Sequence, residues 1–425
     1  MNDLTQDQAQ ALWSAGGFLI FSGLPEGSEF GIDGTYNIIR KSFNGIKFLP
    51  PGIHFITWSI NQTGTNTGTP PIKNGLIKYF EPKERFLIRY NPDLENIEFL
   101  KNEIITDDKL RSIDSELASY QFHNLEQWKS LISKITKDDL HNVINGDTNN
   151  NNERILDGLV TVIGEEEDSI EYKKFTDPSS NEEKDSNTNH DSLNFVRFNL
   201  KKSWKKGEMI GEEITKYSKD KSWLLGNVIQ EQLGGDPIKL ISQLQLSFIL
   251  LLHLSSYSSL LVYKRILSLL CQSSTFLITP NQYLGQTSTS SKSALTITTI
   301  SKKVQELYKS LTETLVIQID SIPDGTFDTE LPELDSFYLD QIESLRKNLI
   351  LAIKGTKDIQ GWNEAVANDM RKSWKGLKII ASKWGWEIND LITSNSDNAY
   401  NGQEDEEESE ESEEEGEYAP VIVEL

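Results

Sequence analysis

The chain has 425 residues, enough for two domains that each bury a core, and its hydrophobic fraction of 37% is low for one compact globule. Its formal net charge of −23 is unevenly spread: residues 404–417 hold eleven carboxylates, residues 165–191 hold ten acids against three lysines, and about −5 remains elsewhere. This balance excludes the strongly basic field that drives non-specific nucleic-acid binding, and it favours a basic protein surface as partner.

The single cysteine, Cys271, excludes an internal disulfide and fits a reducing compartment. It lies in an apolar helical run, which predicts a buried and inert thiol. The first residues, MNDLTQDQAQALW, lack the basic start and apolar centre of a signal peptide. Residues 244–262 are the most apolar window, but they include Gln245, His253 and five serines, so we expect core helices of a soluble protein and no membrane span.

Short alternating segments dominate residues 1–145 and predict a mainly antiparallel β-sandwich with closing helices. Residues 18–21 predict a first strand, and residues 76–80 and 85–90 predict a hairpin. Residues 24–60 predict a β-meander with turns at Asp33-Gly34, Asn44-Gly45 and Pro50-Pro51-Gly52. Asn124 is placed to cap a helix whose apolar face carries Leu125, Trp128, Ile132 and Ile135.

Residues 146–199 contain an Asn-rich run and an acidic run, and this composition predicts a low-complexity linker that cannot bury enough apolar surface to order itself. Residues 155–163, ILDGLVTVI, are the exception and predict a short strand or a docking segment.

Helical periodicity begins at residue 200 and predicts an all-α domain to residue 395. Gly234-Gly235 ends one helix, and Asp236-Pro237 begins the next as cap and first-turn proline. Ser255-Ser256 opens the second arm of a helical hairpin. We therefore predict an α+β chain in four parts: a β-rich domain 1–145, a linker 146–199, a helical domain 200–395 and an acidic tail 396–425.

Four stretches resemble one known family. LPEGSEFGIDG, followed by FNGIKFLPPGIHFITWS, resembles the signature of the a1-cistron splicing factor family, the assembly factors of the spliceosomal U5 particle. Residues 120–135, 240–271 and 419–425 resemble its Trp-bearing helix, its helical hairpin and its hydrophobic tail. The resemblance covers both domains and the tail but not the linkers, which depart from the family pattern.

The resemblance implies a non-enzymatic factor for pre-mRNA splicing that binds the largest U5 protein during U5 and tri-snRNP assembly. In the family, the partner surfaces include the RNase H-like and MPN-like domains of that protein. It also implies a chain found in cytoplasm and nucleus. We expect a monomer when unbound, acting as a clamp of two domains whose linked weak contacts raise the apparent affinity.

The terminal segment is the predicted partner-binding element, and it consists of Ala419, Pro420, Val421, Ile422, Val423, Glu424 and Leu425. Its alternation suits a strand added to an exposed sheet edge. Physical reasoning alone leaves open an edge in this chain or in a partner; the resemblance favours the partner. Ser412, with Glu415 three residues on, is a possible acidic-directed phosphosite.

Two other functions are weighed against this one. The first is a hydrolase that uses His54 with Glu26, Glu29 or Asp33, although a histidine beside Ile56, Trp58 and Ile60 on a strand face is more often a hydrogen-bonded core residue. No nucleophile elbow, zinc-ligand spacing or phosphate loop occurs, so we expect no cofactor or metal.

The second is a direct RNA binder. It requires a folded basic face formed by Lys201, Lys202, Lys205, Lys206 and the lysines of 372–383, interleaved with Trp204, Trp374 and Trp384. The same tryptophans fit an apolar helical stripe, which favours a core role for them.

Overall fold

The computed structural model describes residues 6–40, 42–60, 72–101, 103–145, 153–162, 192–201, 203, 211–284, 297–327, 333–354 and 362–391. These residues form two compact units. The first contains the described residues up to Asn194 together with residues 249–259. The second contains residues 195–248 and the described residues from Leu260 onward.

The first unit contains twelve strands within the described residues. They are β1 (Gly17–Ser22), β2 (Glu29–Ile32), β3 (Thr35–Ile38), β4 (Gly45–Leu49), β5 (Gly52–Ser59), β6 (Lys73–Phe80), β7 (Arg85–Asn91), β8 (Asn96–Phe99), β9 (Leu117–Ser119), β10 (Leu156–Asp157), β11 (Thr161–Val162) and β12 (Ser192–Leu193). One sheet has the order β8-β7-β1-β4-β9 and a second has the order β10-β6-β5-β2-β3; β11 and β12 pair separately. The β1–β7 and β4–β9 pairs are parallel, and all pairs of the second sheet are antiparallel.

One hydrophobic core lies between the two five-stranded sheets, as in a sandwich. The first sheet contributes Leu19, Phe21, Ile46, Leu49, Phe86, Ile88, Tyr90 and Ile97, and the second contributes Phe30, Ile32, Ile56, Trp58, Leu76 and Phe80. The predicted mainly antiparallel β-sandwich is confirmed.

The predicted meander over residues 24–60 is wrong at one strand. The Asp33-Gly34 hairpin is present, with Ile32 opposite Thr35, but β4 lies in the other sheet, between β1 and β9. Gly45 permits this exchange because its φ is +131° and a Cβ there would lie 2.0 Å from the Leu19 carbonyl oxygen. After the Pro50-Pro51-Gly52 turn, the chain returns to the second sheet as β5.

The helices of the first unit are α1 (Gln6–Ala15), α2 (Asp107–Ser112), α3 (Leu125–Leu131) and α4 (Lys137–Asn145). Asn124 occupies the predicted N-cap position of α3, but the predicted capping bond is absent: its side chain donates to Thr35 Oγ1 at 2.6 Å. The helix also ends at Leu131, so Ile132 and Ile135 lie beyond it. The bond to Thr35 holds the Asn124 side chain in another direction, and the backbone of Asn124 has helical angles (φ −93°, ψ −5°) instead of the extended ones that a capping residue adopts.

The predicted linker 146–199 is shorter than expected, because both of its described ends are folded. β10 pairs with β6, and β11 pairs with β12, so strands do occur within residues 155–163. Leu156, Leu193 and Phe195 are buried, which gives these ends apolar surface to pack. The acidic residues 163–191 lie outside the described residues, and the other domain limits stay predictions.

The described helices from Gly211 onward are α5 (Gly211–Lys219), α6 (Ser222–Gln232), α7 (Ile238–Leu254), α8 (Tyr257–Cys271), α9 (Pro280–Leu284), α10 (Ile297–Asp320), α11 (Glu333–Lys354) and α12 (Glu364–Lys383). Gly234 and Gly235 have positive φ after α6, and Asp236 Oδ1 accepts from Ile238 N at 3.1 Å, which confirms the predicted stop and start. No helix among the described residues is both long and apolar enough to cross a bilayer.

The tip of the α7–α8 hairpin was predicted to belong to the helical domain, and this is wrong. Residues 249–259 group with the N-terminal residues in the first unit. The helical period indicated which side chains would be buried, but it carried no information about which unit would bury them. His253 lies in this tip.

Candidate functional site

The Asp33-Gly34 turn places a carboxylate inside the sandwich. Asp33 has a φ of +50°, and its side chain is only 2% exposed. Oδ2 accepts from Tyr120 Oη and contacts His54 Nδ1, both at 2.6 Å, and Oδ1 accepts from Phe55 N at 2.9 Å. The three groups come from a turn, a strand and the segment after β9. Together they form one buried polar network.

The protons of this network can be placed from its acceptors. His54 Nε2 lies 2.7 Å from the Pro50 carbonyl, which can only accept, so Nε2 carries a proton. Nδ1 is hydrogen-bonded to Asp33 Oδ2 at 2.6 Å, so both ring nitrogens of His54 have partners. Burial, reinforced by Asp33, raises the pKa of the Tyr120 phenol, so Tyr120 stays protonated and donates. His54 therefore has no ring nitrogen free to accept a proton from a substrate.

The other carboxylates of the hydrolase hypothesis have different surroundings. Glu26 is exposed, and Glu29 is half-buried and pairs with Lys73 at 3.3 Å. Asp33 is fully occupied by the buried network. A catalytic pair would need two carboxylates, or a carboxylate and a free base, facing one space. Glu26, Glu29, Asp33 and His54 do not form such a catalytic pair.

A second histidine, His253, packs on the opposite face of the second sheet. Its Nδ1 and Tyr36 Oη share a hydrogen bond of 2.7 Å, and its ring lies 5.6 Å from that of Phe55 and 6.2 Å from that of Trp128. Burial lowers the pKa of His253 to about 4, with Lys73 adding to the effect, so the ring is neutral at pH 7. Trp128 Nε1 donates to the Ile53 carbonyl at 2.8 Å. This histidine is a packing residue of the hairpin tip.

Strand β3 forms an edge of the second sheet. Among the described residues it pairs with β2 alone. Ile38 is 60% exposed and Tyr36 is 37% exposed, and they lie on the same strand face. An edge with unpaired backbone groups and exposed apolar side chains is able to accept an added strand. The edge of β3 is therefore a candidate partner-binding surface.

A cleft of about 400 Å³ lies between the β6–β7 hairpin and α4. Its charged lining is largely internally paired: Lys78 contacts Glu84 at 2.9 Å and Glu153 at 3.2 Å, and Lys137 pairs with Glu81. In the part of the chain that the structure describes, no group of three or more His, Cys, Asp or Glu side chains is placed to hold a metal ion.

The predicted tail site, residues 419–425, and the possible phosphosite Ser412 lie outside the described residues. Cys271 is buried, as predicted, and burial raises the pKa of its thiol. The thiolate that a nucleophile would need is therefore disfavoured.

The aromatic residues of the RNA hypothesis are partly accounted for. Trp374 is 1% exposed and donates to the Asn389 carbonyl at 3.0 Å, which confirms its predicted core role. Trp384 is half-buried, with its ring edge-on to Phe327 at 4.7 Å. A stacking platform needs an exposed ring face, which Trp374 lacks. Lys202, Trp204, Lys205 and Lys206 lie outside the described residues.

Sequence reasoning did not find the roles of Tyr120, Tyr36 or His253. Tyr120 lies 87 residues from Asp33, and His253 lies 217 residues from Tyr36. No local spacing links residues so far apart. The one usable signal was Asp33 itself, since a carboxylate in a turn between two apolar strands requires partners wherever it is buried.

Comparison with known proteins identifies similar chains for both units. The model of the AAR2 N-terminal domain matches residues 15–145, and that of the AAR2 C-terminal repeat region matches residues 195–389. A Caenorhabditis elegans protein called Protein AAR2 homolog is 33% identical over 138 residues, which is 31% of this chain and 36% of that protein.

Two mammalian proteins with the same printed name, from Mus musculus and Homo sapiens, are each 23% identical, over 283 and 285 residues. Each alignment covers 62% of this chain and 71% of the relative. The match thus spans about a third of the nematode protein and about seven tenths of the mammalian ones.

Proposed function

The chain belongs to the AAR2 family, the a1-cistron splicing factors. From this membership we propose that it is a non-enzymatic assembly factor of the U5 particle. It binds the largest U5 protein and so supports pre-mRNA splicing. The observation that carries the proposal is that models of the two family domains match both folded parts of the chain, residues 15–145 and 195–389.

Binding, rather than catalysis, agrees with the chemistry of the candidate groups. Both ring nitrogens of His54 are occupied, and Cys271 is a buried thiol. The carboxylate of Asp33 has three partners of its own. The matched polar atoms of His54 and Asp33 stabilise the fold, and these groups leave the chain to act through its surfaces.

The proposed mechanism joins several weak contacts. Two folded units present separate surfaces, among them the open edge of β3, and residues 419–425 add as a strand to the partner. Val421, Val423 and Leu425 then point to one side of that strand and fill pockets. Each contact raises the local concentration of the next, so the whole chain binds more tightly than any part. The RNase H-like and MPN-like domains of the largest U5 protein are the proposed surfaces, and the proposed locations are cytoplasm and nucleus.

Affinity purification tests the proposal. The intact chain and a chain lacking residues 419–425 are purified from cells of the source organism, and the bound proteins are identified by mass spectrometry. We expect the largest U5 protein with the intact chain and a reduced amount with the shortened one. Recovery of no large splicing protein with the intact chain would overturn the proposal.

A matched pair of variants separates strand addition from a loss of folding. V421D/V423D places two charges on the proposed pocket-facing side, and I422D places one on the opposite side. We expect the first to lose partner and the second to keep most of it, with unchanged melting temperatures. A lowered melting temperature with unchanged partner recovery would show that the tail binds in cis instead.

A further inference from the structure

Helix α12 presents two different faces. Its buried face carries Ala367, Met370, Trp374, Leu377 and Ala381. Its exposed stripe carries Asn368, Lys372, Lys375, Ile379 and Ser382, which follow one another at spacings of three and four. The helix holds five basic side chains against two acidic ones. Its surface is therefore positively charged in a chain whose formal net charge is −23.

The acids around this stripe are already neutralised. Three carboxylates each have a basic partner: Glu364 with Arg371 at 2.6 Å, Asp369 with Lys309 at 3.2 Å and Asp390 with Lys378 at 2.7 Å. Lys372 and Lys375 make no ion pair with any residue that the structure describes. Next to them, Ile379 is 66% exposed. The stripe thus combines two uncompensated charges with an apolar side chain.

The last described residues lie beside this helix. The Asn389 carbonyl accepts from Trp374 of α12, Asp390 pairs with Lys378 of α12, and Leu391 is 6% exposed. Only residues 392–403 separate this anchor from the acidic residues 404–417. Twelve residues reach at most about 40 Å when extended, and a 20-residue helix such as α12 is about 30 Å long.

From this placement we propose that residues 404–417, called the acidic run below, bind the Lys372–Lys375–Ile379 stripe of α12 in cis. Eleven carboxylates within fourteen residues complement the two lysines in many registers. The short tether keeps their local concentration high, so weak contacts suffice. Tyr418 follows the run and supplies an aromatic ring for Ile379. The contact is electrostatic and weakens as salt rises. It does not depend on the proposed U5 partner.

A peptide-competition experiment tests binding in cis. The probe is a fluorescent peptide of residues 404–418, followed by anisotropy at low salt. One protein is the natural full chain, and the other is the full chain with every Glu and Asp of the acidic run replaced by Gln or Asn. We expect the peptide to bind the neutralised chain about tenfold more tightly, because the natural run already occupies the stripe. High salt removes the difference. Equal affinity of both chains at low salt would overturn the proposal.

Two lysine-pair variants locate the contact. K372E/K375E is made in the neutralised chain and is expected to weaken the peptide about tenfold or more, since two attractive charges become repulsive. The matched control is K347E/K354E on α11, where two exposed lysines flank Leu351, which is 51% exposed. It is expected to change the affinity by less than about twofold. An equal loss in both variants would reject the α12 site. Circular dichroism checks folding, and K372Q/K375Q replaces the first variant if it does not fold.

Discussion

The buried carboxylate of Asp33 gives the sharpest prediction about stability. Asp33→Ala removes the partner of His54 Nδ1, of Tyr120 Oη and of Phe55 N, and all three groups remain inside the sandwich. Leaving a buried hydrogen-bonding group without its partner costs about 1–3 kcal/mol, so losing the partner of all three costs about 3–5 kcal/mol. An alanine in the left-handed region costs about 1 kcal/mol more. We therefore expect β5 to open about three to four orders of magnitude more often.

Hydrogen exchange by mass spectrometry measures this opening in peptides that cover β5, Gly52–Ser59. Asp33→Asn keeps the size of the side chain and its tolerance of positive φ, so we expect a loss smaller than that of alanine. Tyr120→Phe removes a single hydroxyl and is expected to cost about 1–2 kcal/mol. Asp93→Ala, in an exposed turn, is the control and is expected to change exchange little. An effect of Asp33→Ala below about tenfold would refute the reasoning.

Two further predictions concern the packing of single residues. Because burial lowers the pKa of His253 from 6.5 to about 4, the unfolded chain binds more protons than the folded one, and stability falls as the pH drops below 6.5. The free energy of unfolding falls by about 2 kcal/mol by pH 5, which is measured as faster hydrogen exchange of residues 249–259. His253→Gln should abolish this dependence of stability on pH. An unchanged dependence in that variant would contradict the assignment to His253. Gly75→Ala places a Cβ 2.7 Å from the Phe55 ring and is expected to cost about 1–3 kcal/mol of stability, measured by hydrogen exchange. In α12, the nearest atom to a Cβ at Gly376 lies at 3.7 Å, so Gly376→Ala should stabilise the helix by up to about 1 kcal/mol. If Gly376→Ala destabilised the protein more than Gly75→Ala, the free space around each Cβ would not be what determines the effect.

Local chemistry made much of the fold predictable. Asp33-Gly34 forms the predicted hairpin because both residues adopt positive φ, at +50° and +79°. Gly234-Gly235 ends a helix for the same reason. In α10 the apolar residues recur at spacings of three and four, and they are all buried: Ile300, Val304, Leu307, Leu311 and Leu315. In each case the determining residues lie within a few positions of one another, so a single stretch of sequence carries the information.

Partners distant in the chain were decided by the tertiary structure alone. Asn124 was placed to cap a helix, yet its amide bonds Thr35 across 89 residues. The hydrogen bonds between Asp33 and Tyr120 and between Tyr36 and His253 depend on the packing of both sheets and the hairpin tip. The sequence shows which polar groups need a hydrogen-bond partner when they are buried, because an unpaired polar atom is costly in an interior without water. Which partner satisfies each group depends on loop closure over tens to hundreds of residues, and that choice is made by the packing of the whole unit.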